Sequence, residues 1–199
     1  MNNVSENWKN SEVFKKQLEL NLKELSSSDS FPMHWESFIE LMEKNKPASM
    51  LDVGCGCGAI YELCRKKFPD MEYHGVDYAE SAINLANKTW GEHFSVKDYK
   101  ELDEEYVSKF DLVHMNGLLD ILPNGDEALE YILSLSPKNI IIVRMRWTDK
   151  ESYYDTYEAY DKITTCAYFH NRDNFKRLCE KYGYEFHYIR EEYYLKKKQ

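Results

Sequence analysis

The feature that most constrains this chain is a run of alternating glycines at the end of a short apolar segment, Met50-Leu51-Asp52-Val53-Gly54-Cys55-Gly56-Cys57-Gly58-Ala59. Ser49–Val53 reads as a buried strand, and Ala59–Phe68 carries Ile60, Leu63 and Cys64 at helical spacing. A strand that gives way to a helix so abruptly needs backbone able to take positive φ, which glycine does without steric cost. The same glycines let amide N–H groups at the helix start approach an anionic group with no Cβ in the way. Two patterns fit: Gly54, Gly56 and Ala59 satisfy the dinucleotide form G-x-G-x-x-G/A, and Gly54, Gly56 and Gly58 satisfy G-x-G-x-G. Asp52 weighs between them. A carboxylate there would lie close to a pyrophosphate, which is unfavourable, but it suits a ligand carrying an ammonium group.

The rest of the chain alternates around this turn. Residues 4–25 have Trp8, Phe14, Leu18, Leu22 and Leu25 at mostly helical spacings, and the serine run before Pro32 breaks them from a second helix over His34–Lys44. Further strands are expected at Glu72–Val76, His93–Val96, Phe110–Met115 and Ile140–Val143, with helices over Ala79–Trp90 and Asp126–Leu135 between them. The helix Asp173–Tyr182 and strands near Tyr184–Ile189 and Tyr193–Lys197 close the chain. The last two are joined too tightly for a crossover helix, so they pair antiparallel. The expected fold is α/β: a doubly wound, Rossmann-like sheet of seven strands, mostly parallel with an antiparallel C-terminal hairpin strand, plus N-terminal helices. Ligands of such sheets lie at the carboxyl ends of the strands.

Three more positions fall at those ends. Asp77 follows the second strand about 20 residues past the glycines, where a carboxylate suits the vicinal hydroxyls of a ribose. Asp98-Tyr99 follows the third strand, and Asn116-Gly117 the fourth. Leu51–Gly58 resembles motif I of the class I S-adenosylmethionine-dependent methyltransferases, and Phe110–Leu119 resembles that family's fourth strand and the turn after it. The resemblance covers residues 47–145 well and the last two strands moderately, and it fades in the N-terminal helices and in 148–171. It implies S-adenosylmethionine as cofactor, with S-adenosylhomocysteine as product. It places Asp52, Gly54, Cys55, Gly56 and Gly58 around the methionine portion, Asp77 on the ribose and Tyr78 beside the adenine. It further places Asp98 and Tyr99 on the adenine edge, and Asn116 and Gly117 on the methionine flank.

Composition limits the partners. With 26 basic against 35 acidic residues the net charge is −9, which disfavours a nucleic-acid partner. Lys196-Lys197-Lys198 reads as a short solvated tail. No stretch reaches the roughly 18–20 apolar residues of a membrane span, and the first residues lack a signal-peptide pattern. Five cysteines make no secreted framework and fit no zinc spacing, so a reduced, cytoplasmic protein without a bound metal is expected. Asn116 stands where a metal-binding carboxylate would be wanted, and no Asn/Asp-Pro-Pro-Tyr/Phe segment of amino methyltransferases follows the fourth strand.

The acceptor is therefore expected to be a small polar molecule methylated at a hydroxyl oxygen, bounded by an N-terminal cap (1–46) and by a Tyr-rich lid (148–171) of the 47–199 domain. An ordinary aromatic helix face is the alternative for that Tyr-rich stretch. An oxygen nucleophile needs a proton acceptor. The candidates are His170, ranked first, with His114, Tyr168 and Asp120; a satisfied core histidine is the competing reading of His114. His34, His74, His93 and His187 are read as structural. Competing function classes are an NAD(P)-dependent oxidoreductase on the same glycines, and a non-catalytic S-adenosylmethionine-binding partner protein.

Overall fold

The computed structural model describes residues 4–27, 30–160, 163–190 and 192–198. A 3₁₀ turn at Val4–Lys9 precedes helices α1 (Ser11–Ser26) and α2 (Met33–Asn45). The single helix expected over 4–25 is thus two elements. Asn10 takes extended backbone and its side chain accepts the Glu12 N–H, which caps α1 and breaks it from the turn before it. Ser28 and Asp29 of the expected serine break lie outside the described residues.

The alternating part runs β1 (Ser49–Val53), α3 (Ala59–Lys67), β2 (Glu72–Asp77), α4 (Glu80–Trp90), β3 (Phe94–Val96), α5 (Glu104–Val107), β4 (Leu112–Asn116), α6 (Gly125–Ser134) and β5 (Asn139–Val143). It continues with β6 (Arg146–Thr148), β7 (Tyr153–Ala159), β8 (Ile163–Asn171), α7 (Arg172–Lys181), β9 (Tyr184–Ile189) and β10 (Glu192–Lys197). Seven strands form one sheet in the order β3-β2-β1-β4-β5-β10-β9. Strands β1 to β5 pair parallel, and β10 runs antiparallel to both its neighbours, as the short β9–β10 connection requires.

Strand alternation sorts the core into two layers. Leu51, Val53, Val113, Met115, Ile140 and Ile142 face α6 and α7, where Leu129, Ile132, Phe175 and Leu178 meet them. Met50, Leu112, Ile141 and Val143 face the other way, onto Trp35, Phe38, Leu41 and Met42 of α2 and Ile60 and Leu63 of α3. Asp52 and His114 share the parity of that second face. The chain steps outward from β1 to β2 to β3 and then returns to lay β4 on the other side of β1, so a crevice opens at the carboxyl ends of β1 and β4.

The Tyr-rich stretch is not a helix face. Residues 146–171 build a second, three-stranded sheet in the order β6-β8-β7, with β6 parallel and β7 antiparallel to β8. Ala159 and Ile163 pack on Trp8 and Val13, with Tyr157 and Tyr160 against them, while Tyr153 and Tyr154 stay exposed. Trp8 Nε1 donates to Thr165 Oγ1 at 2.7 Å and Asn7 Nδ2 to the Thr164 carbonyl at 2.7 Å. The first turn of the chain therefore clasps this second sheet beside the crevice.

Candidate active site

The glycine turn is closed onto the end of β2. Gly54 N–H donates to the Val76 carbonyl at 2.8 Å, and Gly56 N–H to Asp77 Oδ2 at 3.0 Å. Gly54, Gly56 and Gly58 have left-handed backbone, at φ 76°, 54° and 79°. Space excludes side chains as firmly as φ does: a Cβ on Gly56 would come 2.8 Å from Gln17 Oε1, and one on Gly58 2.5 Å from the Phe94 ring. The alternating glycines thus let α1 and the β3 edge close directly onto the turn.

Three carboxylates stand at consecutive strand ends, each held differently. Asp52, at the end of β1, is 1% exposed, with Oδ1 2.7 Å from His114 Nδ1 and Oδ2 accepting the Tyr73 hydroxyl at 2.6 Å. Asp77 accepts two backbone N–H groups, from Gly56 and from Ala79 at 2.9 Å. Burial nevertheless pushes its pKa up to about 6, with Asp52 and Asp98 adding to the push. Asp98 caps the 3₁₀ turn Tyr99–Glu101: its Oδ1 accepts the Lys100 N–H at 3.0 Å, and Glu101 Oε2 accepts the Asp98 N–H at 2.8 Å.

A crevice of three adjoining cavities runs across these ends, and Gly54 lines all of them. The first, about 330 Å³, is bounded by Asp77, Tyr78, Asp98, Tyr99, Leu118 and Trp8. The second, about 390 Å³, lies between the glycine turn and the first two helices, against Asp52, Cys55, Asn116, Gln17, His34 and Arg144. The third, about 360 Å³, is walled by Trp8, Phe14, Tyr157, Tyr160, Ile121 and Gly117. All eleven positions proposed from sequence for a ligand except Gly58 line one of these cavities; Gly58 sits at the start of α3, under Trp90 and Phe94.

The opposite wall comes from the segments expected to bound the acceptor, 1–46 and 148–171, but of its residues sequence reasoning singled out only Tyr160, within the Tyr-rich run, and read His34 as structural. Gln17, Asn21 and Glu24 of α1, His34 of α2, Arg144 at the exit of β5 and Tyr160 after β7 all face the second cavity. The Gln17 Oε1 and Asn116 Oδ1 atoms are buried there without a hydrogen-bond partner among the described residues. Burial, reinforced by the nearby Arg144 and His114, lowers the His34 pKa to about 4.

The catalytic candidates fall elsewhere, and none of them lines the crevice. His170 is fully buried on β8, with Nδ1 2.7 Å from Asp126 Oδ1 at the start of α6. Tyr168 packs edge-on against that imidazole at 4.7 Å and donates its backbone N–H to the Asp120 carbonyl. Gly125 makes room for them, since a Cβ there would reach 2.7 Å from Tyr168 and 2.9 Å from His170. These two residues fasten the second sheet to α6. His114 stands behind Asp52, fully buried and against Phe38 at 4.6 Å, with its Nε2 buried without a hydrogen-bond partner among the described residues. Asp120 is 3% exposed and its Oδ2 accepts Arg146 Nε at 3.3 Å. His170, Tyr168 and His114 thus have buried side chains packed among other residues and do not line these cavities.

The methyltransferase-domain family matches this chain over residues 32–189. The chain belongs to that family. It is the class I family that the motifs resemble. Malonyl-[acyl-carrier protein] O-methyltransferase of Halalkalibacterium halodurans is 24% identical over 124 residues, covering 59% of this chain and 45% of that protein. The tRNA1(Val) (adenine(37)-N6)-methyltransferase of Vibrio parahaemolyticus is 33% identical over 61 residues, 28% of this chain and 26% of that protein. The matched part of this chain spans less than half the length of these curated relatives. Among solved structures, a sugar N-methyltransferase of Streptoalloteichus superposes with a TM-score of 0.64 at 13% identity, covering 94% of this chain and 93% of that one. The magnesium protoporphyrin IX methyltransferase of Synechocystis, solved with bound S-adenosylhomocysteine, gives 0.60 at 13% identity over 94% and 97%. At such identities the likeness is one of fold.

Proposed function

We propose that this chain is an S-adenosylmethionine-dependent methyltransferase acting, without a metal, at an oxygen of a small polar acceptor. One observation carries the reading: the crevice offers acceptors for an adenosine at one end and for an ammonium at the other. Asp77 and Asp98 bound the first cavity. Asp52 and the unpartnered carbonyl oxygens of Asn116 and Gln17 bound the second. Two buried acceptors without donors cost about 1–3 kcal/mol each, a cost that a ligand's ammonium relieves.

In this reading Asp77 takes the ribose hydroxyls, and Tyr78, Asp98 and Tyr99 frame the adenine. Gly54, Cys55, Gly56, Asn116 and Gly117 lie along the methionine portion, and Gly58 shapes the turn. His114 and Tyr73 hold Asp52 in place, leaving its remaining lone pairs for the ammonium. Residues 1–46 serve as the cap, with Gln17 reaching over the glycine turn. Residues 148–171 bound the acceptor space of the 47–199 domain through Tyr157 and Tyr160.

S-adenosylmethionine, when bound, supplies a methyl group already activated on a sulfonium. The chain's own part is to align the acceptor, exclude water and accept a proton. With the four sequence candidates outside the cavity linings, His34 is the imidazole that lines the crevice among the described residues. Burial keeps it neutral at pH 7, so its lone pair is free to take a proton. A base this weak suits an acidic acceptor oxygen. The walls of Trp8, Tyr157 and Tyr160 and the net charge of −9 favour a small molecule over a polyanion, and five free buried cysteines suit a cytoplasmic setting.

The test is calorimetric titration with S-adenosylmethionine, S-adenosylhomocysteine and NADH. Micromolar binding of the adenosyl pair without NADH is expected. Binding of NADH alone would replace this reading with the oxidoreductase, against which Asp52 and Asp98 count. Tight adenosyl binding with no methyl transfer to any of a broad set of hydroxyl and carboxyl acceptors would favour the non-catalytic partner protein.

A further inference from the structure

Arg144 stands where the second and third cavities meet, lining both. It follows β5 in a left-handed conformation, φ 66°, which an L side chain rarely adopts. Its backbone N–H donates at 2.6 Å to Oε2 of Glu192, a carboxylate 8% exposed on β10. Tyr160, across the junction, is another of the five non-glycine residues at positive φ among the described residues, at 57°; Lys46, Ser136 and Arg190 lie outside the crevice. Strained backbone held by buried partners collects at sites of function.

The side chain is the unusual part. Arg146, two residues on, pairs with Asp120 and lies over the Tyr157 ring at 5.1 Å. Arg144 has no ion pair among the described residues. Glu24, Asp120 and His34 feel its charge, yet no carboxylate among the described residues comes within the 4.0 Å of an ion pair. Gly117 packs beside it, where a Cβ would make only ordinary contact with Nη1, at 3.4 Å. A free guanidinium therefore faces a crevice that, on the reading above, also takes a sulfonium. Asp52 and Glu24 line the second cavity and Asp77 the third without pairing with this guanidinium, and its planar fork, left open by them, matches a carboxylate with two parallel hydrogen bonds.

We propose that Arg144 is the carboxylate receptor of this crevice. The proposal rests on the S-adenosylmethionine reading, and the carboxylate has two sources: the methionine end of the donor or the acceptor. If the acceptor carries it, the substrate class narrows to small organic acids.

Arg144→Gln in the full chain tests this, because glutamine makes the same backbone demand and keeps a polar stem. Arg144→Lys, which keeps charge but not the fork, is the second variant. S-adenosylhomocysteine and 5′-methylthioadenosine, which lacks the amino-acid end, are titrated calorimetrically into wild type and variants whose melting temperatures match. Benzoate and benzamide are then titrated into protein saturated with S-adenosylhomocysteine. A donor carboxylate predicts that Arg144→Gln weakens S-adenosylhomocysteine about 10–100-fold and spares methylthioadenosine, with Arg144→Lys between. An acceptor carboxylate predicts unchanged S-adenosylhomocysteine affinity and loss of the wild-type preference for benzoate over benzamide. The proposal is overturned if Arg144→Gln changes neither, or weakens S-adenosylhomocysteine and methylthioadenosine in parallel. Wild-type protein that binds neither nucleoside removes the methyltransferase reading as well, so the two failures are told apart.

Discussion

Acidifying the protein from pH 8 to pH 5 should weaken S-adenosylhomocysteine binding about tenfold, and Asp77 is the reason. Its carboxylate is 7% exposed, and burial pushes its pKa to about 6 even though Gly56 and Ala79 donate to it. Ribose hydroxyls donate to the ionised form, so binding favours the carboxylate and the observed dissociation constant scales as one plus the ratio of protonated to ionised Asp77. With a pKa near 6 the ionised fraction is about 99% at pH 8 and about 10% at pH 5. Affinity is therefore level above about pH 7 and falls toward tenfold per unit below about pH 6. Asp77→Asn removes the titration, and it should give a flat profile at an affinity about 10–100-fold lower, the usual worth of a hydrogen bond to a charged group. Calorimetry from pH 5 to pH 8 at fixed ionic strength, on protein shown to be folded at each pH, measures both. Wild-type affinity that stays constant over this range, or a pH slope that survives in Asp77→Asn, refutes the ribose assignment.

Three further outcomes test the scaffold. Gly58→Ala combines left-handed backbone with a Cβ 2.5 Å from the Phe94 ring, and should cost about 2–4 kcal/mol, read as a fall in urea midpoint at constant slope. A variant as stable as wild type would show that the turn relaxes freely. His170→Ala removes one partner of the half-buried Asp126, which keeps Asn174 Nδ2 at 2.6 Å, and empties a buried ring site, and it should destabilise by about 2–3 kcal/mol. The same variant should leave S-adenosylhomocysteine affinity unchanged below its melting point, whereas tenfold weaker binding would return His170 to the site. Asp98→Ala removes the cap of the 3₁₀ turn, about 1 kcal/mol of stability, and should weaken S-adenosylhomocysteine binding more than binding of free methionine, which has no adenine.

What could be read from sequence was what lies close together along the chain. Gly54, Gly56, Asp77, Asp98 and Asn116 all follow a strand directly. Once the strands are found, the rule that parallel sheets bind at their carboxyl ends places these residues without any knowledge of distant contacts. The opposite wall obeys no such rule. Gln17 donates to the Tyr160 hydroxyl across 143 residues of sequence, and nothing near either residue announces the other. The second sheet shows the same limit from another side. Thr164, Thr165 and the alternating residues of 153–159 carry strand character, but sixteen tyrosines in 199 residues blurred it into an aromatic surface.

The histidines show why a suitable residue type near a site is not yet a member of it. On β8 a one-residue change of parity would have turned His170 to the other face of its sheet, away from Asp126; the observed register, Trp147 beside His170 and Tyr154 beside Tyr168, turns it onto Asp126. That register is set by β6, β7 and the Trp8 clasp, none of which the segment around His170 encodes. His114 stood between a catalytic and a core reading, although its partner follows from a simple rule. Parallel pairing sets Asp52 of β1 opposite His114 of β4, so a carboxylate in motif I calls for a polar neighbour on the next strand. His34 had no such marker: it enters the crevice only because the Trp35, Phe38, Leu41 and Met42 stripe packs α2 on the sheet, which leaves the preceding residue at the edge of that contact, facing Arg144. Residues fixed by local chain geometry are thus readable in advance, and residues delivered by the packing of a whole helix or sheet become readable only with the fold.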